Sequence, residues 1–454
     1  MSARYTVDEG RPWAGRRIHL IGVGGAGMSA YARAAHALGA EVSGSDGAES
    51  EYLRRLVADG VLTAAIGHRA ENVPADEGVE IYHSSAIPAE NPERVAARER
   101  GLDDRPRADL LGELSALRRT IAVAGTHGKS TTAAMLARML RAAGMAPGWL
   151  IGAPIGDGLA NAEWGEGEWL VVEADESDRS MLSLDVEIAV LTNVELDHHA
   201  SFASLTELRE AFRAFLAGAE HAVIWDRPEL LALRDGSVVP YETPRLALLA
   251  GGSRFDWGER EARLEVPGRH NALDAAAALE AARLAGADPA LAVEALRGFR
   301  GAGRRFQPLG RSERGAVLYE DYAHHPTEVT ATLAGARTLP HDRLIAVFQP
   351  HLLSRTKLLA DEFGRALAQA DAVAVLDVYP ARERKEDFPG VSGLLVAEAV
   401  ADAAPGRPVY WLPDRAAARV VLAGLLGEGD LCVVMGAGDV DGLGHELAKR
   451  EPAS

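Results

Sequence analysis

The chain has 454 residues, and its 47% hydrophobic and 25% charged content is typical of a folded protein of about three domains at roughly 150 residues each. The 66 acidic residues outnumber the 48 basic ones, and the formal net charge of −18 argues against a broad nucleic-acid-binding surface. A substrate that carries phosphate is still compatible with this charge, because a single pocket can be locally positive.

The first predicted elements form a βαβ unit. Arg17–Val23 is typical of a buried strand, Met28–Leu38 of a helix, and Glu41–Ser43 of the start of a second strand. Val79–Ile87 is a further strand that ends in small polar residues. This order predicts a doubly wound parallel sheet, in which ligands bind beyond the carboxyl ends of the strands.

A glycine-rich turn joins the first strand to the first helix. It fits G-x-G-x-x-G, with Gly22, Gly24 and Gly27 at the glycine positions. Asp46 follows about 20 residues later, where dinucleotide folds place a ribose-binding carboxylate. The motif serves several nucleotides, and no hydride-transfer residues accompany it. We therefore interpret the turn as a site for a nucleotide-bearing substrate, with an NAD oxidoreductase as the alternative.

The segment AGTHGKSTT is the strongest motif of the chain. It lies between a predicted strand, Thr120–Gly125, and a predicted helix, Thr131–Ala143, which is the context of a phosphate-binding loop. Backbone N–H groups and the helix N-terminus favour phosphate there, Lys129 is expected to neutralise the terminal phosphates, and Ser130 offers a hydroxyl to Mg²⁺. The alternative is an ordinary strand–helix turn with an exposed lysine. The residues predicted to bind ATP are Gly125, Thr126, His127, Gly128, Lys129, Ser130 and Thr131.

Two further strand ends are expected near this loop. The predicted strands Glu168–Asp175 and Glu187–Asn193 lead into the polar segments EADESD and NVELDHH. Because the carboxyl ends of parallel strands lie at one edge of a sheet, Glu173 and His198 are candidate Mg²⁺ ligands together with Ser130. The alternatives are a solvated acidic loop and a hydrogen-bonded loop histidine.

A third α/β unit is predicted after the glycine-rich hinge Gly301–Gly303. It contains predicted strands at Ala316–Glu320, Leu344–Phe348, Ala372–Asp377 and Asp430–Met435. Helices are also predicted earlier in the chain, at Arg107–Leu117 and Asp274–Ala285. The predicted domains are 1–115, 116–303 and 304–454.

Two neighbouring strand ends of the third unit carry basic side chains. The segment EDYAHHPTE includes His324, and the segment FQPH ends at His351, with Arg355 just beyond. This pattern indicates a site that captures an anion. Capping of the following helix by Asp321 and Thr327 is a second interpretation, and both can hold together.

The sequence predicts a cytoplasmic protein. No stretch approaches about 18 consecutive apolar residues, so no insertion into a membrane is expected. The N-terminal sequence lacks the apolar centre of a signal peptide, and Cys432, the single cysteine, cannot form an intramolecular disulfide.

Over nearly its whole length, the chain resembles the Mur ligase family. The segments that carry the resemblance occur in the family's order: GVGGAGMSA, VSGSD, HSSAI, NPE, AGTHGKSTT, EADESD, TNVELDH, GRHNALDA, RRF, DYAHHPTE, FQPH, SRT, LDVYPARE and GAGDV. DYAHHPTE and FQPH are similar to those of the members that add alanine. The resemblance implies an α/β protein of three domains: a Rossmann-like N-terminal domain for a UDP-sugar, a central P-loop ATPase-type domain for ATP and Mg²⁺, and a C-terminal Rossmann-like domain for the amino acid.

The resemblance also implies the substrates and the site residues. The substrates are UDP-N-acetylmuramate and L-alanine, joined through an acyl phosphate, and the residues implied in catalysis are Lys129, His198, His324 and Arg355. His270 and Asn271 are implied near ATP. The residues implied in amino-acid binding are Tyr322, His324, His351 and Arg355. Those implied in UDP-sugar binding are Gly24, Gly25, Ala26, Gly27, Ser45, Asp46, His68, Ser84 and Ser85.

The chain departs from the family pattern at several positions. Ser130 stands where threonine is frequent, Arg179 where glycine is frequent, and Leu352 where many members carry arginine. The loop after NVELDH is about three residues shorter than usual, which leaves His199 without an assigned role.

Two other functions remain as alternatives. One is a sister ligase that attaches a recycled peptide to the same sugar nucleotide. The other is a non-catalytic regulator that binds nucleotides, although a regulator has no need to keep Lys129, Glu173 and His198 together. A homodimer is one oligomeric state that the sequence allows.

Overall fold

The computed structural model of the protein describes residues 11–156, 158–197 and 201–449. The chain forms two compact units, one of Met1–Glu242 with Leu273–Ala295 and the other of Thr243–Ala272 with Leu296–Ser454. Among the described residues, no helix has both the length and the apolar character that crossing a membrane requires. The domain boundaries near 115 and 303 stay predictions.

A parallel sheet with its helices opens the first unit. Its elements are β1 (Arg17–Ile21), α1 (Ala26–Ala37), β2 (Glu41–Asp46), α2 (Glu51–Ala58), β3 (Thr63–Ile66), β4 (Val79–His83), α3 (Pro92–Glu99), β5 (Asp104–Pro106) and α4 (Arg107–Ser115). The five strands pair in the order β3-β2-β1-β4-β5, all parallel. All of β1 after its first residue is buried, as expected for a parallel strand that is covered on both faces.

The second sheet of the first unit carries the phosphate-binding motif. Its elements are β6 (Arg119–Ala124), α5 (Lys129–Ala142), β7 (Gly148–Leu150), β8 (Ala162–Glu163), β9 (Trp169–Glu173), β10 (Ile188–Leu191), α6 (Leu205–Ala217), β11 (His221–Trp225), α7 (Pro228–Leu231) and β12 (Val239–Tyr241). The strand order is β12-β11-β10-β6-β9-β7-β8, and only β8 runs antiparallel to its neighbour. Because β6 lies between β9 and β10, the ends of these three strands are neighbours.

Two sheets lie in the second unit, and two helices precede the larger sheet in the chain. A small antiparallel sheet has β13 (Ala247–Leu249), β14 (Gly252–Trp257) and β15 (Arg260–Leu264), and the helices α8 (Arg269–Leu284) and α9 (Pro289–Arg297) follow it. The larger sheet has the strand order β16-β17-β21-β18-β19-β20 and is parallel except for β16. Its elements are β16 (Gln307–Arg311), β17 (Val317–Asp321), α10 (Pro326–Ala336), β18 (Arg343–Phe348), α11 (Leu353–Leu367), β19 (Ala372–Val375), α12 (Gly393–Ala403), β20 (Val409–Trp411), α13 (Arg415–Leu425), β21 (Asp430–Met435) and α14 (Val440–Leu447).

The predicted elements agree with the structure in type and differ at their ends. The strand Asp430–Met435 is confirmed to the residue. The helix predicted from Thr131 begins at Lys129, because Gly128 adopts a left-handed backbone that ends the loop there. The helix predicted from Asp274 begins at Arg269, so the HN pair lies in its first turn. The antiparallel sheet β13–β15 was not predicted.

The core beneath α6 gives a test of the fold. Leu216 is fully buried among apolar side chains of the second sheet, whereas Leu117 is 42% exposed. Leu216→Ala removes buried methyl groups and leaves a cavity, so we expect the free energy of unfolding of the first unit to fall by about 2–5 kcal/mol. Calorimetry of both variants measures this. An equal effect of Leu117→Ala would contradict the assignment of the core.

Candidate functional site

The glycine turn after β1 is held by the ends of the neighbouring strands. The backbone N–H of Gly24 donates to Asp46 Oδ2 at 2.8 Å, and Ser50 Oγ donates to the Gly24 carbonyl at 2.8 Å. A Cβ atom on Gly24 would lie 2.9 Å from both of these side chains, so no other residue fits there without a shift. Gly25 caps α1 without a side-chain hydrogen bond, which leaves the first N–H groups of the helix directed at the turn.

Beside this turn, a fully buried carboxylate, that of Glu93, orients two of the predicted UDP-sugar residues. Glu93 accepts hydrogen bonds from Ser45 Oγ at 2.7 Å, from Asn72 Nδ2 at 3.0 Å and from His68 Nδ1 at 2.9 Å. His19 Nε2 lies 3.0 Å from Glu93 Oε2, the oxygen that also accepts from Ser45. Burial alone would raise the pKa of Glu93, but these hydrogen bonds lower it to about 2. Glu93 lies within the segment NPE, and no local sequence pattern predicts a role for it.

The remaining predicted UDP-sugar residues lie at the same sheet edge. Ser84 and Ser85 follow β4, which pairs with β1, and a Cβ atom on Gly22 would lie 3.0 Å from Ser84 Cβ. A Cβ atom on Gly47, the residue directly after β2, would lie 3.7 Å from His68 Nε2. The structure therefore gathers the glycine turn, the end of β2 and the end of β4 into one candidate nucleotide site.

Between β6 and α5, the phosphate-binding loop has the backbone that its glycines permit. Gly125 has φ of +136° and Gly128 has φ of +83°, and side chains at these positions would collide with Thr192 and Asp274. Gly128 is the N-terminal cap of α5 and makes no side-chain capping bond. The N–H groups of the first helical turn, including that of Thr131, are therefore arranged for an anion.

The segment after β10 fixes this loop, as its position in the sheet predicts. Thr126 Oγ1 donates to the Glu195 carbonyl at 2.9 Å and accepts from the Glu195 N–H at 2.9 Å. The backbone N–H of His127 donates to Asn193 Oδ1 at 2.9 Å. The His127 ring contacts the Glu195 carboxylate through Nε2 at 3.0 Å.

The Lys129 side chain folds back over the loop that carries it. Its Nζ donates to the Gly125 carbonyl at 2.7 Å and to the Thr126 carbonyl at 3.2 Å, and it lies 2.8 Å from Glu176 Oε2. Burial favours the neutral amine, but the carboxylates of Glu176 and Asp175 outweigh it and raise the pKa of Lys129 above its ordinary value. The amine is therefore charged at neutral pH and faces the space that the loop encloses.

Next to this lysine, a hydroxyl and a carboxylate form a pair that suits a divalent cation. Ser130 Oγ donates to Glu173 Oε1 at 2.9 Å, and Glu173 Oε2 accepts from the Gly152 N–H at 2.6 Å. Oxygen ligands of this kind fit Mg²⁺, which takes few ligands from protein. His198, the third predicted ligand, lies outside the described residues, as does His199.

In the second unit, the predicted amino-acid residues form a row of rings. Tyr322 lies edge-on to His324 with ring centroids 5.2 Å apart, and His324 lies edge-on to His351 at 5.9 Å. The His351 ring stacks on Tyr379 at 5.9 Å, a residue that the sequence placed in LDVYPARE without a role. Arg355, almost fully buried, brings Nη1 to 3.3 Å from His351 Nδ1. The structure thus brings all four predicted residues together.

Two departures from the family pattern have a left-handed backbone. Arg179 has φ of +61°, a conformation that glycine adopts without strain, and its guanidinium lies over the Phe202 ring at 4.8 Å. Leu352 has φ of +71°, which is unusual for a bulky residue, and its N–H donates to the Tyr379 carbonyl at 2.9 Å. The strained position directly follows His351.

His270 and Asn271 lie in the first turn of α8, in the second unit. Burial lowers the pKa of His270 to about 4, so its imidazole is neutral at pH 7. Asn271 Nδ2 donates to the Pro267 carbonyl at 2.7 Å, which fixes the start of the helix. Their contact with ATP stays a prediction.

Comparison with known proteins gives the family. Residues 17–119 match the Mur ligase family catalytic domain, residues 123–282 the Mur ligase middle domain, and residues 304–438 the Mur ligase glutamate ligase domain. The UDP-N-acetylmuramate–L-alanine ligase of Rubrobacter xylanophilus is 45% identical, over 96% of this chain and 100% of that protein. The chain belongs to the Mur ligase family. Its α/β fold is confirmed, with three domains that follow one another in the chain: a Rossmann-like domain, a P-loop ATPase-type domain and a second Rossmann-like domain.

Other members of the family are similar over the same length. The UDP-N-acetylmuramate–L-alanine ligase of Streptomyces avermitilis is 42% identical, over 97% of this chain and 98% of that protein. The crystal structure of the UDP-N-acetylmuramate-alanine ligase of Thermotoga maritima superposes with a TM-score of 0.82 at 27% identity, covering 95% of this chain and 98% of that one. A murein peptide ligase of Psychrobacter arcticus, with a TM-score of 0.71 at 24% identity over 95% of this chain and 98% of that one, shares the fold.

The buried carboxylate of Glu93 gives a test of the first site. Because its pKa in the folded protein is about 2, below the ordinary carboxyl value, Glu93 stabilises the protein at neutral pH, and that stability is lost as the pH falls from about 4.5 toward 2. We expect Glu93→Gln to lower the free energy of unfolding at pH 7 by on the order of 3 kcal/mol and to flatten its dependence on pH in this window. Denaturation by urea at several pH values measures both effects.

Glu99→Gln is the matched control, because Glu99 is an exposed carboxylate at the end of the same helix. It is expected to leave stability at every pH close to that of the unaltered protein. If both variants retain the full dependence on pH, the hydrogen bonds to Glu93 do not carry the stability assigned to them.

Proposed function

We propose that the protein is an ATP-dependent ligase that joins the amine of L-alanine to the lactyl carboxylate of UDP-N-acetylmuramate. The observation that carries this proposal is the phosphate-binding loop with Lys129 charged above it and with Ser130 bonded to Glu173. The relatives at 45% and 42% identity, which are UDP-N-acetylmuramate–L-alanine ligases, support the choice of substrates. A reaction that consumes ATP and a UDP-sugar places the protein in the cytoplasm, in the synthesis of a peptidoglycan precursor.

The chemistry explains why such a ligase needs a nucleotide triphosphate. A carboxylate does not react with an amine, because its leaving group would be oxide. Transfer of the γ-phosphoryl group to the lactyl carboxylate gives an acyl phosphate and ADP. The amine of L-alanine then attacks the carbonyl carbon, and the tetrahedral adduct loses phosphate and a proton to give the amide. Catalysis of these steps consists mainly of positioning and of neutralising charge.

The residues of the loop supply that neutralisation. Lys129 exchanges its bonds to the Gly125 and Thr126 carbonyls for bonds to the terminal phosphate oxygens, and the N–H groups of the first turn of α5 hold the same phosphates. Ser130 and Glu173 would hold Mg²⁺, which would offset the negative charge of the phosphates. His198 stays a proposed third ligand.

The sugar nucleotide is proposed to bind at the glycine turn, and L-alanine at the row of rings in the second unit. The N–H groups at the glycine turn, Gly24 to Gly27, suit the diphosphate of the sugar nucleotide, with His68 and Ser84 on either side. The buried guanidinium of Arg355 next to His351 suits the carboxylate of L-alanine. His324 is proposed to orient the incoming amine.

An assay of phosphate release tests the proposal. ATP, Mg²⁺ and UDP-N-acetylmuramate are supplied with L-alanine, glycine, L-serine or the tripeptide L-Ala-γ-D-Glu-meso-diaminopimelate. We expect release that requires both the sugar nucleotide and L-alanine, with a product of the matching mass. Turnover only with the tripeptide would make the protein the peptide-recycling ligase. No turnover from protein that still binds ATP would make it a nucleotide-binding regulator.

A single substitution separates the two nucleotide sites. Lys129→Ala removes the cation that faces the terminal phosphates, so we expect kcat to fall by at least about 100-fold. The affinity for UDP-N-acetylmuramate, measured by calorimetry, is expected to change by less than roughly threefold. The reason is that the glycine turn follows a strand of the first sheet, whereas the phosphate-binding loop follows a strand of the second. Lys357→Ala, at an exposed lysine of α11, is the control. Loss of both turnover and UDP-N-acetylmuramate binding in the Lys129 variant would contradict the assignment of separate sites.

A further inference from the structure

Arg107, the first residue of α4, links the two nucleotide sites of the first unit. Its side chain is 13% exposed, and its Nε lies 2.6 Å from Asp178 Oδ2 while its Nη2 lies 2.9 Å from Asp175 Oδ2. Both aspartates belong to EADESD, which follows β9 of the second sheet, whereas α4 follows β5 of the first. The sequence interpretation gave no role to this arginine.

The third nitrogen of the Arg107 guanidinium, Nη1, faces the glycine turn. A Cβ atom on Gly27 would lie 2.8 Å from Nη1, so the missing side chain of this glycine makes room for the guanidinium. Nη1 takes part in neither of the two carboxylate bonds. Arginine presents its donors in a rigid planar fork, so a guanidinium that holds two carboxylates by two nitrogens still offers the third to an anion.

Asp175, one of the two aspartates that Arg107 holds, in turn acts on the phosphate-loop site. The Asp175 carboxylate helps to raise the pKa of Lys129, and Glu173, two residues earlier, accepts the hydroxyl of Ser130. Asp175 Oδ1 also accepts from the Ser177 N–H at 2.9 Å, which makes the segment rigid. A displacement of this segment would therefore move a Mg²⁺ ligand and the charges around the lysine together.

A second contact between the sheets fixes the glycine turn from behind. Asn161 Nδ2 donates to the Ala26 carbonyl at 2.9 Å and lies 3.1 Å from Ser29 Oγ. The turn is thereby held to the second sheet, and Arg107 lies between it and EADESD. Because the turn is already held in place, an anion that binds there can accept a hydrogen bond from Nη1 without a change in the position of the turn.

We propose that Arg107 is a positioning residue that couples the binding of the sugar-nucleotide diphosphate at the glycine turn to the binding of ATP at the phosphate loop. The coupling rests on the proposed function, since it takes the turn as the diphosphate site. A diphosphate oxygen accepts from Nη1, the guanidinium is then held on three sides, and Asp175 and Asp178 are fixed in the arrangement that receives Mg²⁺ and ATP. By linkage, ATP strengthens the binding of the sugar nucleotide by the same factor.

Calorimetry on the full chain measures this factor. The dissociation constants of UDP-N-acetylmuramate and of a non-hydrolysable ATP analogue with Mg²⁺ are determined alone and with the other ligand at saturation. In the unaltered protein we expect each ligand to tighten the other by about 5-fold or more. In Arg107→Lys, a single ammonium cannot hold two carboxylates and a phosphate at once, so the factor is expected to fall to about 1.

The control variant is Arg105→Lys. Arg105 lies two residues earlier and contacts Tyr82 of β4 and Glu113 of α4, away from EADESD, so its variant is expected to keep the full factor. A role of Arg107 in stability alone would lower the melting temperature and weaken both ligands equally while the factor stays unchanged, and that result overturns the proposal. Asp178→Asn, which leaves the arginine in place, is expected to reduce the factor and provides the test if Arg107→Lys does not fold.

The outcome also separates this proposal from the proposed function. If the unaltered protein binds neither ligand, the proposed function is wrong. If it binds both and each leaves the affinity of the other unchanged, the ligase assignment stands and the coupling through Arg107 is wrong.

Discussion

The parallel pairing of β6 with β9 on one side and β10 on the other is the constraint on which the chemistry of the first unit depends. The register places Val123 beside Glu173 and Ala124 beside Leu191, so three strands end at one edge within a residue of one another. Because side chains alternate between the two faces of a sheet, a slip of one residue would turn Glu173 away from Ser130. Every residue of β6 after Arg119 is buried, as expected for a central parallel strand that is covered on both faces.

Buried cations of the first unit are paired with carboxylates. A cation buried without partners is costly, and the carboxylate of Glu176 and the loop carbonyls stabilise Lys129. In the proposed function, phosphate oxygens replace these carbonyls. The same carboxylates keep the amine protonated. Arg107 follows the same rule, with Asp175 and Asp178 as its partners. A chain with a net charge of −18 thus keeps cations at the interior positions where we propose that phosphate binds, although acidic residues predominate overall.

Local patterns predicted the parallel sheets and the loop, because these depend on runs of consecutive residues, whereas the antiparallel sheet β13–β15 was not predicted. The apolar run of β21 and the glycines of AGTHGKSTT need no information from elsewhere in the chain. The role of Glu93 could not be predicted, because its partners come from separate segments that only the fold brings together. Ser45 and His68 were therefore assigned to the sugar nucleotide without the carboxylate that orients them. The start of α8 was missed for another reason, since the polar residues of its first turn have the composition of a loop.

The strained backbone at Leu352 connects the fold of the second unit to its chemistry. A bulky residue at φ of +71° costs on the order of 1–3 kcal/mol and persists only where the surrounding structure enforces it. At Leu352 the enforcement comes from the bond of its N–H to the Tyr379 carbonyl and from the start of α11 at the next residue. This turn lies between His351 and the first helical turn that carries Arg355, and Arg355 Nη1 lies 3.3 Å from His351 Nδ1. The strained backbone of Leu352 thus lies next to the position where we propose that the carboxylate of the amino acid binds.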